Sequence, residues 1–276
     1  MGKRKIPANY ERMTLEECKK ISLDILIDVS DFCEEHDITY YLSVGTLLGA
    51  IRHQGFIPWD DDIDIMMPRP DYKRFLDEYK SEKYKVYKPS EGRFYYAKVY
   101  DTSTVKYERD VDYHKFKPIG VDIDVFPLDG IVNDKEEIER LYKKECILEK
   151  LLRLSNQPIF LRKNPLKAIN RILPRMLIGS KRLVRMIEKN AQTYDYESSD
   201  YVVRMRWSPN GFTGALPKEV YEKDYAIFEK NVFCIPRDYD TWLKAFFGDY
   251  MSIPPEEKRV VHDFECYRIK DENKNS

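Results

Sequence analysis

Four aspartates lie close together near residue 60 of the 276-residue chain: Asp60, Asp61 and Asp62 are consecutive, and Asp64 follows after Ile63. Because successive side chains of a β-strand point to opposite faces, this spacing predicts that Asp62 and Asp64 lie on one side of a strand. Two such carboxylates repel each other, and residues 54–68 contain no Lys or Arg to neutralise them. The run therefore predicts a bound divalent cation, Mg²⁺ or Mn²⁺, with carboxylate ligands. The alternative is a solvated acidic loop, which the apolar neighbours of the run disfavour.

A small turn at Gly45 and Thr46 precedes the acidic run. It follows an extended apolar run, residues 40–42, and precedes a short helical run, residues 47–52. A helix start of this kind offers backbone N–H groups and a hydroxyl to a phosphate oxygen, so we expect Gly45 and Thr46 to bind a substrate phosphate. Arg52 is either a further phosphate ligand, through its planar guanidinium, or a surface arginine.

A second acidic pair lies in residues 119–126, IGVDIDVF, where alternation places Asp122 and Asp124 on one face of a predicted strand. In a lone strand such a face would point to solvent. Beside the first acidic pair it can instead supply a third carboxylate to a cation site. Two further residues are candidates for substrate binding, each with a structural alternative. Lys98, between Ala97 and Val99, either faces the site or packs elsewhere, and His262 either binds substrate or is simply hydrogen-bonded.

Composition excludes several classes of protein. Hydrophobic residues make up 42% of the chain, with 21 Tyr and 13 Phe, which is typical of a globular protein. The formal net charge of −1 predicts no nucleic-acid partner. The five cysteines are scattered and form no C-x-x-C pair, which favours a reducing compartment and no zinc site. No run of about 18 apolar residues occurs, so we expect a cytoplasmic protein.

The remaining pattern predicts a mixture of helices and strands. Thr14 and Glu17 form a capping box before an amphipathic helix that extends to about Phe32. Three short runs with strand-like composition are expected to form a meander: residues 84–88, 94–100 and 105–109. Helical patterns dominate from residue 131 onward.

A basic stretch, residues 151–187, contains no acidic residue. Within it, cations recur every four residues, at Lys163, Lys167, Arg171 and Arg175. The apolar residues between them predict an amphipathic helix that begins near Pro165 and is kinked or broken at Pro174. Two interpretations are open. Either these cations face the anionic inner surface of a membrane, or the apolar stripe packs into the core while the cations face water.

The order of the motifs resembles the nucleotidyltransferase fold of polymerase-beta-like enzymes, which has a hydrophobic-Gly-Gly/Ser turn, an Asp-x-Asp pair and a third Asp on a later strand. Its counterparts in this chain are Val44-Gly45-Thr46, Asp62-Ile63-Asp64 and Ile123-Asp124-Val125. Thr replaces the usual Ser and keeps the hydroxyl. Three longer runs are similar to the LicD family of phosphotransferases, which the fukutin-related sugar-phosphate transferases also resemble: GTLLGAIRHQGFIPWDDDIDI, GVDIDVFPLDG and IPRDYDTWLKAFFGDYMSIPPEEKR.

The resemblance implies an α+β fold, in which a nucleotidyltransferase-like core has a small mixed β-sheet flanked by helices. We expect one catalytic unit, residues 1–276, with this core in residues 14–130 and a mainly helical part in residues 131–269. By motif position, Asp62 and Asp64 are metal ligands and Asp124 is a third ligand or a base. Asp122 also stands where an acid is expected, but Asp124 directly precedes the hydrophobic-Phe-Pro of the family's motif.

The implied reaction is transfer of phosphocholine from CDP-choline to a sugar hydroxyl of a bacterial glycopolymer precursor, of teichoic acid or lipopolysaccharide type, with release of CMP. The implied partners are CDP-choline, a lipid-linked glycan precursor and the inner face of the membrane. Aromatic side chains such as Trp59 and Trp207 are candidates for holding the choline head group. Three alternatives remain: nucleotidyl transfer from a nucleoside triphosphate, transfer of another polyol or sugar phosphate, and an inactive binding or assembly module.

Overall fold

The computed structural model describes residues 6–159, 165–204, 214–259 and 263–270. Within these ranges the chain forms seven α-helices and twelve β-strands, which agrees with the expected α+β class. The elements up to residue 131 are β1 (Tyr10–Arg12), α1 (Leu15–Glu35), β2 (Tyr41–Leu42), α2 (Val44–His53), β3 (Asp64–Pro68), α3 (Arg69–Glu78), β4 (Tyr84–Tyr87), β5 (Ala97–Asp101), β6 (Thr104–Glu108) and β7 (Asp122–Ile131). The later elements are α4 (Lys135–Asn156), α5 (Pro165–Leu177), α6 (Ser180–Ala191), β8 (Tyr201–Val203), β9 (Leu216–Pro217), β10 (Lys223–Phe228), β11 (Asn231–Pro236), α7 (Tyr239–Phe247) and β12 (Phe264–Ile269).

The largest sheet has the strand order β2-β3-β7-β5-β4. Strands β3 and β7 run parallel, and the other neighbours in this order are antiparallel. The far end of β7 pairs with β8, which in turn pairs with β9. Pro127 lies in β7 just beyond Val125, the last residue of β7 that pairs with β5. A proline is tolerated there because its missing N–H is not needed by β5.

The meander expected from residues 84–109 is wrong in its last strand. Strands β4 and β5 form the predicted antiparallel pair, but β6 pairs with β12 in a separate sheet of order β1-β12-β6. The cause is β7, which occupies the edge of β5 that β6 would need. Residues distant in sequence therefore compete for one strand edge, and a local pattern cannot show which of them pairs there.

The core encloses the parallel pair of strands. All five residues of β3 are buried, as are nine of the ten residues of β7. Helix α1 packs against β7 and β5, and its residues Ile25, Leu26 and Val29 are fully buried. The predicted capping box of this helix is confirmed, because the Thr14 and Glu17 side chains each bind the other's backbone N–H. Side chains on β3 and β7 are consequently held in a rigid setting. Among the described helices, none is long and apolar enough to cross a bilayer.

Candidate active site

Three charged residues form one row across three neighbouring strands. Asp64 on β3 lies directly opposite Asp124 on β7, and Asp124 lies directly opposite Lys98 on β5. Side chains at directly opposite positions share a face of the sheet, and neighbouring strands are about 4.8 Å apart. All three side chains are buried. The structure therefore brings together two of the predicted metal ligands and the lysine whose orientation the sequence left open.

Two lysines neutralise Asp122, the first residue of β7. Lys98 Nζ lies 2.5 Å from Asp122 Oδ2 and also binds the Asp124 carboxylate. Lys106 Nζ, from β6, lies 2.8 Å from Asp122 Oδ1. Burial by itself would raise the pKa of Asp122, but Lys106 and Lys98 outweigh it and hold that pKa well below its usual range. Asp122 is therefore ionised and serves as the counter-ion of two buried lysines.

The lysines are stabilised in turn by the carboxylates. Burial would lower the pKa of Lys98 and of Lys106, but the nearby aspartates raise both above the ordinary lysine value. The row then has Asp124 between a carboxylate, Asp64, and an ammonium, Lys98. This arrangement supports Asp124 rather than Asp122 as the acid beside the first pair, although the catalytic role of each stays a prediction.

The three consecutive aspartates gather their carboxylates before β3 begins. One oxygen each of Asp60, Asp61 and Asp62 lies within 4.8 Å of the other two. Burial, together with repulsion from Asp62 and Asp64, raises the pKa of Asp60 to about 8. The sequence analysis assigned no role to Asp60. Its position in an unbroken acidic run could have indicated that it lies with Asp61 and Asp62. The structure places Asp60 together with Asp61 and Asp62, and we call these three residues the acidic cluster.

The first turn of α2 lies against this cluster. The helix begins at Val44, so Gly45 and Thr46 belong to the helix itself rather than to a preceding turn. A Cβ at Gly45 would overlap the Asp60 carboxylate, and glycine therefore permits the close approach. Thr46 Oγ1 accepts a hydrogen bond of 2.8 Å from the backbone N–H of Asp64. The hydroxyl predicted to hold a phosphate thus also fixes the start of β3.

The backbone at the start of α2 is strained. Val44 has a φ of 45°, in the left-handed region that β-branched residues avoid. Two hydrogen bonds hold this geometry in place: the Ser43 N–H donates to the Asp64 carbonyl at 2.9 Å, and Thr46 accepts from Asp64. Strain that is maintained in this way is common at functional sites. It lies in this protein directly beside Asp64.

Two predicted substrate ligands are not part of this arrangement. Arg52 lies in the last turn of α2, whereas Gly45 and Thr46 lie in the first. The Arg52 guanidinium donates from Nη1 to the Tyr250 carbonyl at 2.6 Å, so it joins α2 to the segment after α7. This contact favours the structural alternative for Arg52. His262 lies outside the described residues.

A cleft of about 710 Å³ is lined in part by the residues that lead into β5. Its wall includes Phe94, Tyr95 and Tyr96, which immediately precede β5. Lys98 Nζ lies 4.9 Å from the ring centre of Phe94 and 5.6 Å from that of Tyr96, so the aromatic wall reaches the row. Composition alone had not singled out these rings. Of the two tryptophans considered, Trp59 is covered by the Arg259 guanidinium at 4.4 Å, and Trp207 lies outside the described residues.

Comparisons with known proteins agree on one family. A family model described as LicD/FKTN/FKRP, nucleotidyltransferase domain, matches residues 37–154. Over 267 residues the chain is 31% identical to the lipopolysaccharide cholinephosphotransferase LicD of Haemophilus influenzae, and the alignment covers 91% of this chain and 97% of that protein. The chain belongs to the LicD family. Shorter matches are to an uncharacterised protein of Rickettsia typhi, 36% identical over 83 residues (29% of this chain and 27% of that protein), and to one of Rickettsia prowazekii, 48% identical over 48 residues (17% and 18%).

The LicD-family match contains most of the site described above. The matched residues, 37–154, begin before β2 and end within α4, and they include every predicted site residue except His262 and Trp207. The likeness to the Haemophilus influenzae protein extends over most of the remaining chain. The charged row, the acidic cluster and the aromatic wall of the cleft therefore all lie in the part that the family model recognises.

Proposed function

We propose that this LicD-family protein transfers phosphocholine from CDP-choline to a sugar hydroxyl of a bacterial cell-surface glycopolymer precursor and releases CMP. The observation that carries the proposal is the 31% identity, over nearly the full length of both chains, to a protein named lipopolysaccharide cholinephosphotransferase. The acceptor is a lipid-linked precursor of lipopolysaccharide or teichoic acid type. The reaction takes place in the cytoplasm, at the inner face of the membrane.

The acidic cluster and the charged row offer ligands suited to a hard divalent cation, Mg²⁺ or Mn²⁺. Asp62, Asp64 and Asp124 would hold the cation, since their donors are all carboxylate oxygens. Asp62 lies in the cluster whose carboxylates come within 4.8 Å of one another, and Asp64 and Asp124 lie in register on adjacent strands, which supports this fit. When bound, the cation would neutralise phosphate charge and make the reacting phosphorus more electrophilic.

The reaction exchanges one phosphorus–oxygen bond for another. The acceptor oxygen forms a bond to the phosphorus that carries choline, while the bond from this phosphorus to the bridging oxygen breaks and that oxygen leaves with CMP. In its alternative role, as a base rather than a third ligand, the Asp124 carboxylate takes the proton of the acceptor hydroxyl. Lys98, hydrogen-bonded to Asp124, fixes the direction of this carboxylate and provides positive charge beside the reacting phosphate.

The remaining parts of the site bind the two ends of the donor. The N–H groups in the first turn of α2, at Gly45 and Thr46, bind the phosphate on the nucleotide side. The aromatic cleft receives the choline head, because a quaternary ammonium is attracted to the faces of aromatic rings. Tyr95 is the ring to test, since it lines the cleft while Phe94 and Tyr96 already lie beside Lys98. Tyr95→Ala should raise the KM for CDP-choline by about tenfold.

The decisive experiment is a product assay with the purified protein, CDP-choline, Mg²⁺ and a detergent-solubilised lipid-linked glycan. We expect CMP and choline-bearing glycan in equal amounts, and neither product with Asp64→Asn. Pyrophosphate release from a nucleoside triphosphate, without CMP from CDP-choline, would instead indicate nucleotidyl transfer. Binding of CDP-choline without any product would indicate an inactive binding module.

The cation proposal has a test that does not depend on turnover. A ligand that binds only the native state raises the melting temperature. Mg²⁺ should therefore raise the melting temperature of the wild-type protein and leave that of Asp64→Asn unchanged. Equal shifts in the two proteins would show that Asp64 is not a ligand, whatever the outcome of the product assay.

A further inference from the structure

Helix α5, Pro165–Leu177, exposes a stripe of large apolar side chains. Ile169 and Leu173 are each 48% exposed, Met176 is 77% exposed and Leu177 is 73% exposed. Met176 and Leu177 are the most exposed large apolar side chains in the described part of the chain. The spacing of these four residues, i, i+4, i+7 and i+8, places them within roughly 100° of the helix circumference. They form one continuous apolar face, which we call the α5 stripe.

Two arginines hold the opposite face of α5 against the protein. Arg175 donates from Nε to the Ser155 carbonyl at 3.1 Å, and its Nη2 lies 2.9 Å from Asp112 Oδ2. Arg171 donates from Nη1 to the Pro158 carbonyl. Carbonyls at and just beyond the C-terminal end of a helix, in this case α4, are favourable partners for cations. These contacts fix the rotation of α5 and leave the α5 stripe on the outside.

This arrangement differs from both interpretations that the sequence allowed. Arg171 and Arg175 bind the protein rather than face a membrane or water, and the apolar stripe is exposed rather than packed in the core. Lys163 and the side chain of Lys167 lie outside the described residues. A local helical pattern shows that a helix has two faces, but neighbouring groups decide which face turns inward.

Exposed cations follow directly on the next helix. Helix α6 begins at Ser180, and its residues Lys181, Arg182 and Arg185 are exposed. No acidic residue occurs from 151 to 187, so no carboxylate of this stretch compensates these charges. An exposed apolar stripe that is followed in the chain by exposed cations is typical of a segment that lies in the interface of an anionic bilayer. With 13 residues, α5 is too short to span one.

We propose that α5 docks on an anionic phospholipid bilayer. The α5 stripe inserts among the lipid headgroups, and Lys181, Arg182 and Arg185 of α6 lie against the lipid phosphates. The identity of the partner follows from charge complementarity, since an apolar face beside cations fits an apolar layer beneath anions. The inference rests on the proposed function in one respect: a lipid-linked acceptor lies at the membrane, so the enzyme must bind there to use it.

Vesicle co-sedimentation of the full-length protein, without substrates, tests the proposal. The probe is vesicles of phosphatidylcholine with about a third phosphatidylglycerol, compared with phosphatidylcholine alone. We expect binding to the anionic vesicles that weakens as salt is added. Met176→Gln/Leu177→Gln should weaken binding by at least about tenfold, and Arg182→Gln/Arg185→Gln should both weaken it and reduce its dependence on salt.

The matched control changes two exposed apolar residues on another surface. Ile227 and Val232 face each other on the hairpin β10–β11 and are 47% and 61% exposed. Ile227→Thr/Val232→Thr should bind anionic vesicles as the wild type does. All variants should keep the wild-type circular dichroism spectrum, because the altered side chains are exposed.

Three results would overturn the proposal. The first is that folded wild-type protein does not pellet with anionic vesicles at low salt. The second is that Met176→Gln/Leu177→Gln binds these vesicles as strongly as the wild type does. The third is that the wild type binds no vesicles but forms an oligomer, whereas Met176→Gln/Leu177→Gln is monomeric. The last result would assign the α5 stripe to contact between copies of this chain. CMP formation from a detergent-solubilised acceptor needs no bilayer, so failure of the docking proposal and failure of the proposed function are distinguishable.

Discussion

Asp64 and Asp124 lie in register on adjacent parallel strands, although α3 and three strands separate them along the chain. The backbone N–H of Asp124 donates to the Ile63 carbonyl at 2.8 Å, so the two strands are locked together at the residue before Asp64. The separation of the two side chains is therefore set by the sheet rather than by a mobile loop. Because the sheet already fixes these two carboxylates, binding a cation and a phosphate costs no entropy for ordering them.

Replacing Asp64 by Asn should lower turnover by at least about 100-fold, because it removes a proposed metal ligand and a negative charge from the row. Asp124→Asn should have an effect of the same order. The control is Asp77→Asn, an exposed aspartate of α3, which should retain wild-type turnover. CMP formation measures all three, and circular dichroism verifies the fold. Near-normal activity of Asp64→Asn would refute the assignment of the site.

Asp122→Asn should act mainly on stability. It removes the carboxylate that binds Lys106 and one of the two carboxylates that bind Lys98, and an uncompensated buried charge costs about 3–5 kcal/mol. Asp124→Asn should lower the free energy of unfolding less, because both lysines would still be paired with Asp122. It should lower kcat more. Urea unfolding and turnover, measured on both variants, separate the two effects. A stable Asp122→Asn protein with less activity than Asp124→Asn would reverse the roles of the two aspartates.

Thr46→Val should weaken both the fold and the site. Without the hydroxyl, the buried N–H of Asp64 loses its acceptor, at a cost of about 1–3 kcal/mol in unfolding free energy. The start of β3 should also shift, and we expect kcat to fall by about tenfold. Thr46→Ser keeps the hydroxyl and is the matched control, with stability and kcat near those of the wild type. If Thr46→Val and Thr46→Ser have the same stability and the same kcat, the hydrogen bond does not position Asp64.

Glu145, on α4, gives the protein a pH-dependent stability away from the site. Its Oε2 accepts a hydrogen bond of 2.8 Å from Asn190 Nδ2, but burial raises its pKa to about 8. The unfolded chain releases this proton near pH 4.3, whereas the native protein keeps it until about pH 8. The contribution of Glu145 is therefore complete below about pH 4.3 and is lost progressively as the pH rises to about 8.

Glu145→Gln should make the free energy of unfolding depend less on pH between about pH 4.3 and pH 8. Between pH 5 and pH 8, wild-type unfolding free energy should fall by about 2–4 kcal/mol more than that of Glu145→Gln. Glu136→Gln, an exposed substitution on the same helix, serves as control and should follow the wild type. Urea unfolding at the two pH values provides the measurement. Parallel profiles for wild type and Glu145→Gln would mean that Glu145 is ionised in the native protein.

Features that depend on neighbouring residues in the chain were predictable from sequence. The capping box at Thr14 sets the start of α1, and the alternation Asp-Ile-Asp places Asp122 and Asp124 within one strand, because both effects act over a few residues. The acidic run near residue 60 likewise identified the cluster before β3.

Other features required the tertiary structure because they join distant parts of the chain. The register of β3 and β7 places Asp64 beside Asp124, and β6 pairs with β12 instead of β5. Both pairings join strands that are far apart in sequence. The ion pairs of Asp122 depend on that pairing, since Lys98 and Lys106 reach it from two different strands. Helix α5 shows the same limit: its sequence specified two faces, but the carbonyls at the end of α4 decided, by binding Arg171 and Arg175, that the apolar face would turn outward.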